Sequence, residues 1–181
     1  MSLAEFQMAG RALSAAGLAD GSSGNLSLRQ GGGLIITRSG SSLANLEPSD
    51  LVLTGLIDDY ITASPPSSEL EVHRAILRAG SVNAVIHVHL PWALSLAEAA
   101  PALPGGTLVI GGGGAIIPGA FAREIAAGLV AGGLVMVRGH GSFAAAATMA
   151  EACRLSLDFE NTCRRACAGL GIQPTQKKEK N

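Results

Sequence analysis

The sequence predicts a single α/β or α+β domain in which helices cover a central sheet. Segments with the apolar period of a strand alternate with segments with the period of a helix along the whole chain, and this order is typical of those two fold classes. The 181 residues are enough for one sizeable core and need no second domain. We expect that one domain spans residues 1–172 and that residues 173–181, which contain three lysines, form a disordered tail.

The first third of the chain is predicted to form a helix, a hairpin and two short strands. Residues 3–16 carry apolar side chains at helical spacing and are followed by Gly17, which suits a helix end. Residues 26–29 alternate between apolar and polar side chains, and a glycine turn joins them to the apolar run 34–37, which indicates a β-hairpin. Residues 51–54 and 60–62 are predicted to be short strands.

Helices and strands then alternate to the end of the chain. The residues from Pro65 to Ser68 are typical of a helix start, and the helix leads to a strand of mainly β-branched residues over 82–88. The later predicted elements are a helix over 91–100, a strand interrupted by glycines over 108–117, a helix over 121–130, a strand over 134–137 and a long helix over 149–170.

Composition and charge argue against several classes of partner. The net charge is −1 and only 15% of the residues are charged, so we expect no nucleic-acid partner. Every apolar stretch is interrupted well short of the ~20 residues of a membrane span, and the N-terminus lacks the pattern of a secretory signal. We therefore expect a cytoplasmic protein with no membrane association. Cys163 and Cys167 lie one helical turn apart, but no third ligand is near them, so we interpret the cysteines as reduced helix residues.

Three histidines form a candidate metal site. His87 and His89 are two residues apart in a predicted strand, so their side chains should project from one face. His140 follows another predicted strand and stands between two glycines, which leave it free to reach out of the sheet. Three imidazoles suit a divalent transition metal with an open coordination position. Zinc, one ion per subunit, is the predicted cofactor, with another divalent transition metal as the alternative.

Glu69 is the candidate catalytic acid or base. It stands at the N-terminal end of a predicted helix, where the helix dipole and unpaired amides keep a carboxylate ionised. The alternative is a purely structural glutamate that complements the dipole. His73 lies on the same helix face, and we interpret it as a packing or supporting residue.

Three segments rich in glycine and hydroxyl side chains are candidates for phosphate binding. Backbone amides at glycine turns and at a helix N-terminus, with serine hydroxyls beside them, can bind a phosphate without any lysine. Each segment alone is more often an ordinary turn. The candidate residues are Gly24, Asn25, Ser39, Gly40, Ser67 and Ser68.

Together, these motifs resemble the class II aldolase/adducin family in their order and approximate spacing. The resemblance covers nearly the whole chain and is closest to the fuculose-phosphate aldolase branch. The motifs that carry it are Gly24–Arg29, Ile36–Gly40, Pro66–Glu69 with His73, His87–His89, and Gly139–Gly141 followed by Glu151 and Ala152.

The resemblance implies a three-layer α/β/α fold around a largely antiparallel sheet, and commonly a homotetramer with active sites between subunits. It implies zinc ligands at His87, His89 and His140, a catalytic glutamate at Glu69, and phosphate binding at the glycine, asparagine and serine positions named above. The implied activity is that of a metal-dependent aldehyde-lyase in carbohydrate metabolism. Such an enzyme cleaves a sugar phosphate, a ketose such as fuculose 1-phosphate, to dihydroxyacetone phosphate and a short aldehyde through a metal-bound enediolate.

Departures from the family pattern leave other reactions open. The fuculose-phosphate aldolases use a tyrosine from a neighbouring subunit as proton donor, whereas Thr107 lies near that position here and the only tyrosine is Tyr60. The family's C-terminal active-site tail looks truncated. Arg38 replaces the usual proline, where it either adds a charge to the phosphate site or is solvated. The alternatives are a metal-dependent dehydratase, epimerase or decarboxylase acting on a phosphorylated sugar or sugar acid, and a non-catalytic interaction module like the adducins.

Overall fold

The computed structural model describes residues 3–58, 62, 64–100, 102–111 and 120–174. These residues form five α-helices and one seven-stranded sheet. The helices are α1 (Leu3–Ala15), α2 (Leu70–Ala79), α3 (Pro91–Ala99), α4 (Ala120–Gly128) and α5 (Met149–Leu170). The strands are β1 (Asn25–Gln30), β2 (Gly33–Thr37), β3 (Leu51–Gly55), β4 (Ala84–Val88), β5 (Val109–Ile110), β6 (Gly133–Val137) and β7 (Gly141–Ala146).

The sheet is largely antiparallel. Its strand order is β3-β2-β1-β4-β7-β6-β5, and each neighbouring pair is antiparallel except β5 and β6, which are parallel. The predicted hairpin is the β1–β2 pair, with Ser27 opposite Ile36. Strands β1, β4 and β7 therefore lie side by side in the middle of the sheet.

Helices cover both faces of the sheet and create two separate cores. Helices α1, α3 and α5 pack on one face, where Phe6 and Ile86 are fully buried. Helices α2 and α4 pack against each other on the opposite face, together with Ile76, Val85 and Ile125. Val85 and Ile86 are neighbours on β4 and belong to opposite cores, as the alternation of side chains in a strand requires. The predicted three-layer α/β/α fold with a largely antiparallel sheet is confirmed.

The predicted helices and most predicted strands agree with the structure to within a few residues. Strand β5 covers only Val109–Ile110 of the predicted strand among the described residues, and residues 112–117 of that prediction lie outside them. Most of the predicted strand at 60–62 and residues 175–181 of the predicted tail also lie outside them. The expected domain boundary at residue 172 therefore stays a prediction.

Strand β7 has no counterpart in the sequence-based predictions. Its sequence, Gly-Ser-Phe-Ala-Ala-Ala, is rich in alanine, which has a low strand propensity, and it lacks apolar alternation. The strand forms because it pairs with β4 on one side and β6 on the other. Its residues Ser142, Phe143, Ala144 and Ala145 are completely buried. Tertiary packing overrides local propensity at this position.

The three cysteines are buried thiols on α5, as expected for reduced helix residues. Burial, with smaller contributions from Glu160 and Cys167, raises the pKa of the Cys163 thiol to about 12. A protonated thiol is a poor metal ligand, so the structure gives no support to a thiolate site here. None of the helices within the described part of the chain has the length and apolar character needed to cross a bilayer.

Candidate active site

The described residues enclose a cavity of about 540 Å³ at one end of the central strands. All ten site residues predicted from the sequence line this cavity. They are Gly24, Asn25, Ser39, Gly40, Ser67, Ser68, Glu69, His87, His89 and His140. Residues that are distant in sequence therefore meet in one place, although this placement alone does not assign their roles.

Strand register explains why the histidines meet. Asn25 on β1 pairs with His87 on β4, and His87 pairs with Phe143 on β7. His140 occupies the tight turn between β6 and β7, where its amide donates to the carbonyl of Val137 over 3.1 Å. Gly139 in this turn has a φ of 69°, which glycine adopts without strain. The short turn keeps His140 next to the end of β4.

The three imidazoles form a compact donor set. One ring nitrogen from each of His87, His89 and His140 lies within 4.8 Å of the other two. The rings of His87 and His140 are stacked, with centroids 4.9 Å apart, and His89 lies edge-on to both. This is the only group of potential metal ligands found among the described residues. Three imidazole nitrogens are a donor set that suits zinc and related divalent metals.

The hydrogen bond of His87 provides a test of whether a cation fits. His87 Nδ1 lies 2.9 Å from the carbonyl oxygen of Ser142, so Nδ1 carries the proton and donates it. Burial lowers the pKa of His87 to about 3, which keeps the ring neutral and leaves a lone pair on Nε2. That lone pair faces Glu69 Oε2 at 3.3 Å. Two acceptors repel at this distance unless a cation lies beside them, so the donor set fits a bound metal ion.

Glu69 connects the histidines to strand β1. Its Oε1 accepts a hydrogen bond from His140 Nε2 over 2.7 Å, and its Oε2 accepts one from Asn25 Nδ2 over 2.9 Å. Burial by itself would raise the pKa of the carboxyl, but the positive charge that His87 carries once it is protonated at low pH, and the hydrogen bonds from His140 and Asn25, lower it to about 2. An ionised carboxylate therefore lies directly beside the candidate metal ligands.

Two hydroxyl-bearing loops meet at the other side of the cavity. The amide of Ser39 donates to the carbonyl of Pro65, and the amide of Ser67 donates to the carbonyl of Thr37. These bonds place the turn at Ser39 and Gly40 against the residues that lead into α2. The N-terminus of α2 thus faces the cavity, where its dipole favours an anion.

Four further residues line the cavity, of which the sequence-based predictions missed the first three and left Arg38 open between the phosphate site and solvent. They are Asp20, Ser22, Ser23 and Arg38. The first three belong to the polar turn before Gly24. Their proximity to that glycine in the sequence is the only signal that could have placed them in the site. Arg38 is held by Asp50, with Nε 2.8 Å from Oδ1.

Gly141 lies against the candidate metal ligands, and we expect a Gly141→Ala substitution to weaken metal binding by about tenfold to a hundredfold. A methyl group there would come within 2.8 Å of His89 Cδ2 and the Val88 carbonyl oxygen, and within 2.9 Å of His87 Cε1. These contacts are too short, so the imidazoles must move apart. Competition with a chelator would measure the affinity. Gly32→Ala, where nothing lies within 4 Å of the added methyl, is the matched control, and equal affinity in both variants would contradict the prediction.

The sequence profile of the class II aldolase and adducin N-terminal domain matches residues 4–167. The chain belongs to this family. Homologues in this class II aldolase family are metal-dependent lyases, and the chain is accordingly placed among enzymes of that type. The match extends from the start of α1 into the last turns of α5.

Individual relatives in the family carry different activities. The 5-methylthioribulose-1-phosphate/5-deoxyribulose-1-phosphate aldolase of Rhodospirillum rubrum is 34% identical over 163 residues, which cover 84% of this chain and 74% of that protein. The 3-oxo-tetronate 4-phosphate decarboxylase of Escherichia coli is 38% identical over 82 residues, or 44% of this chain and 39% of that protein. Among solved structures, L-fuculose-1-phosphate aldolase from Thermus thermophilus superposes with a TM-score of 0.79 at 27% identity, covering 92% of this chain and 93% of that one.

Proposed function

We propose that this class II aldolase family member is a zinc-dependent lyase that cleaves a phosphorylated ketose to dihydroxyacetone phosphate and a short aldehyde. One observation carries the proposal. The ionised carboxylate of Glu69 contacts the imidazoles of both His87 and His140, in the same cavity as the glycine and serine loops. The arrangement combines a cation site, a proton-transfer group and an anion-binding loop in one cavity.

The two ends of the cavity have separate roles in this proposal. Ser39, Gly40, Ser67 and Ser68, with the N-terminus of α2, bind the substrate phosphate. His87, His89 and His140 hold a zinc ion, and Gly24 allows β1 to approach β4 closely. A zinc ion bound there supplies Lewis-acid stabilisation of the negative charge that develops on the substrate oxygens. Anchoring the phosphate fixes the position of the reacting carbons relative to Glu69.

Glu69 transfers the proton at the substrate's C3. In cleavage of a ketose 1-phosphate, the C4 hydroxyl gives its proton to water, which passes a proton to the Glu69 carboxylate. The C3–C4 bond breaks, and its electron pair stays on C3. C3 then takes a proton, which gives dihydroxyacetone phosphate. In the condensation direction the ionised Glu69 removes that same proton, and in cleavage the carboxyl returns it.

The name of the R. rubrum relative supports 5-deoxyribulose 1-phosphate as the first substrate to test. Its cleavage would release acetaldehyde with dihydroxyacetone phosphate. We expect purified, zinc-loaded protein to release both products in equal amounts, as measured by coupled enzymatic assays. Fuculose 1-phosphate and methylthioribulose 1-phosphate belong in the same screen. Absence of cleavage of all three by metal-loaded protein would argue against the aldolase.

A decarboxylase acting on a 3-oxo-tetronate 4-phosphate is the second candidate. Loss of carbon dioxide from that sugar acid leaves the same carbanion of dihydroxyacetone phosphate, and the reaction needs no group to remove a hydroxyl proton. Thr107, near the position of the family's tyrosine, donates its hydroxyl to the carbonyl of Pro104, and Tyr60 lies outside the described residues. The similarity to the E. coli decarboxylase supports this reading. Release of carbon dioxide from the sugar acid distinguishes the two reactions.

Arg38 is expected to strengthen phosphate binding. Its guanidinium lines the cavity beside Ser39 and is held in place by Asp50, and a charged hydrogen bond contributes about 1.5–3 kcal/mol. We therefore expect Arg38→Gln to raise the KM for the phosphorylated substrate at least tenfold while kcat changes little. Steady-state kinetics would measure both. Arg154→Gln removes an exposed, ion-paired arginine on α5 and is the control. An unchanged KM in Arg38→Gln would mean that this arginine does not contact the substrate phosphate.

We also propose that the protein is a cytoplasmic homotetramer. The family resemblance supports the tetramer, and Met8, Ile57 and Leu170 are large apolar side chains that are exposed in the single chain. Sedimentation analysis of the purified protein would give the subunit number, and fractionation of the source cells would give the compartment.

A further inference from the structure

We propose that His73 and Ser27 are positioning residues, which fix the orientation of Asn25 and, through it, of the Glu69 carboxylate. The proposal rests on the proton-transfer role proposed for Glu69. Both residues are completely buried, and neither lines the cavity. Their side chains reach the candidate active site by hydrogen bonds through Asn25.

The four side chains form one continuous chain of hydrogen bonds. Ser27 Oγ lies 2.7 Å from His73 Nδ1, and His73 Nε2 lies 2.6 Å from Asn25 Oδ1. Asn25 Nδ2 lies 2.9 Å from Glu69 Oε2. This series of hydrogen bonds connects β1 to α2 and ends at the Glu69 carboxylate beside the histidine cluster.

The direction of every hydrogen bond in this series follows from Glu69, the residue at its end. A carboxylate only accepts, so Asn25 must present its NH2 group to Glu69 and its carbonyl oxygen to His73. His73 must then donate from Nε2, which leaves Nδ1 as an acceptor for the Ser27 hydroxyl. The opposite tautomer of His73 would place a lone pair against Asn25 Oδ1. The network therefore selects one tautomer of His73 and one orientation of the Asn25 amide.

The surroundings of His73 keep this arrangement fixed. Its ring packs edge-on against Phe143, with centroids 6.0 Å apart. Burial, only partly offset by Glu69, lowers the pKa of His73 to about 4, so the ring is neutral at neutral pH. A neutral ring of this tautomer donates to Asn25 and accepts from Ser27, whereas a protonated ring would donate from both nitrogens and reverse the bond to Ser27. Buried polar networks of this kind give a unique geometry when every member is satisfied.

A consequence concerns Asn25, which we predicted to bind phosphate or substrate. One of its amide hydrogens and its carbonyl oxygen are committed to Glu69 and His73. Its contribution to catalysis then includes holding Oε2 of Glu69 in place for proton transfer. Loss of the hydrogen bond from Asn25 to Glu69 should lower kcat. It should leave the affinity for a phosphorylated substrate nearly unchanged, because the phosphate-binding loops are unaltered.

The first test is the tautomer of His73, which needs neither substrate nor metal. We expect ¹⁵N NMR of the wild-type protein to show the ring protonated at Nε2 and unprotonated at Nδ1, with the signal assigned by its loss in His73→Gln. A ring protonated at Nδ1 would overturn the proposal. Since no turnover is measured, failure of the proposed lyase activity would leave this result interpretable.

The second test separates positioning from stability. In Ser27→Ala the Nδ1 acceptor loses its donor, and we expect kcat to fall about tenfold with KM and metal content unchanged. His73→Gln, whose amide can still donate to Asn25, should retain more of kcat than His73→Leu. Ser156→Ala removes another fully buried hydroxyl, which donates to the Ala152 carbonyl on α5, and it serves as the matched control for stability. Kinetic constants within twofold of wild type in Ser27→Ala and His73→Leu, with only the melting temperature lowered, would overturn the proposal.

Discussion

Replacing His89 with alanine is expected to remove the bound metal and abolish lyase activity. The candidate donor set has three imidazoles, and a site with two of them no longer holds a catalytic zinc tightly. We expect elemental analysis of desalted wild-type protein to give about one divalent ion per chain and that of His89→Ala to give almost none. Activity should fall by at least about a thousandfold, because the charge that develops on the substrate loses its main stabilisation.

His73 provides a matched histidine control for the His89 substitution. The chain has four histidines, and His73 is the one outside the cluster. His73→Gln should therefore keep its full metal content even though it alters another contact of the active site. Absence of metal from the wild type after reconstitution with zinc would contradict both the site and the lyase mechanism. Retention of metal by His89→Ala would exclude His89 as a necessary ligand.

The parts of the fold that could be predicted are those determined locally. The β1–β2 hairpin and helix α2 follow from apolar period and turn residues, and both agree with the structure. Strand β7 could not be predicted, because its alanines form a strand only between two neighbouring strands. Ser27 shows the same limitation. Its place in an alternating run suggests a polar, solvated face, whereas α2 covers that face and His73 bonds the hydroxyl.

The candidate site was predictable as a set of residues but not as a set of contacts. Short motifs identify Glu69 and the histidines because their chemistry and spacing are unusual for a core. The partners of Glu69 are Asn25, 44 residues earlier, and His140, 71 residues later. Only the sheet order, which puts β1 and β7 on either side of β4, brings these residues together. The sequence contains no local signal for that order.

Replacing Glu69 with glutamine is expected to lower kcat by about a hundredfold to ten-thousandfold while zinc stays bound. Glutamine has nearly the same shape, but it cannot accept and return a proton, and positioned acid–base groups contribute rate factors of that size. The imidazoles of His87, His89 and His140 remain available, so the metal should stay. Kinetics with a phosphorylated ketose and elemental analysis of the same preparation would measure both quantities.

Glu71→Gln is the matched control for this substitution. Glu71 lies two residues further along α2 and is half exposed, and its carboxylate pairs with Arg74 over 2.7 Å outside the cavity. Its removal should leave kcat close to the wild-type value. Full activity in Glu69→Gln would eliminate the proton-transfer role, because no glutamine amide can perform it. Loss of zinc together with activity would instead assign Glu69 to holding the metal, since the carboxylate lies 3.3 Å from His87 Nε2 and 2.7 Å from His140 Nε2.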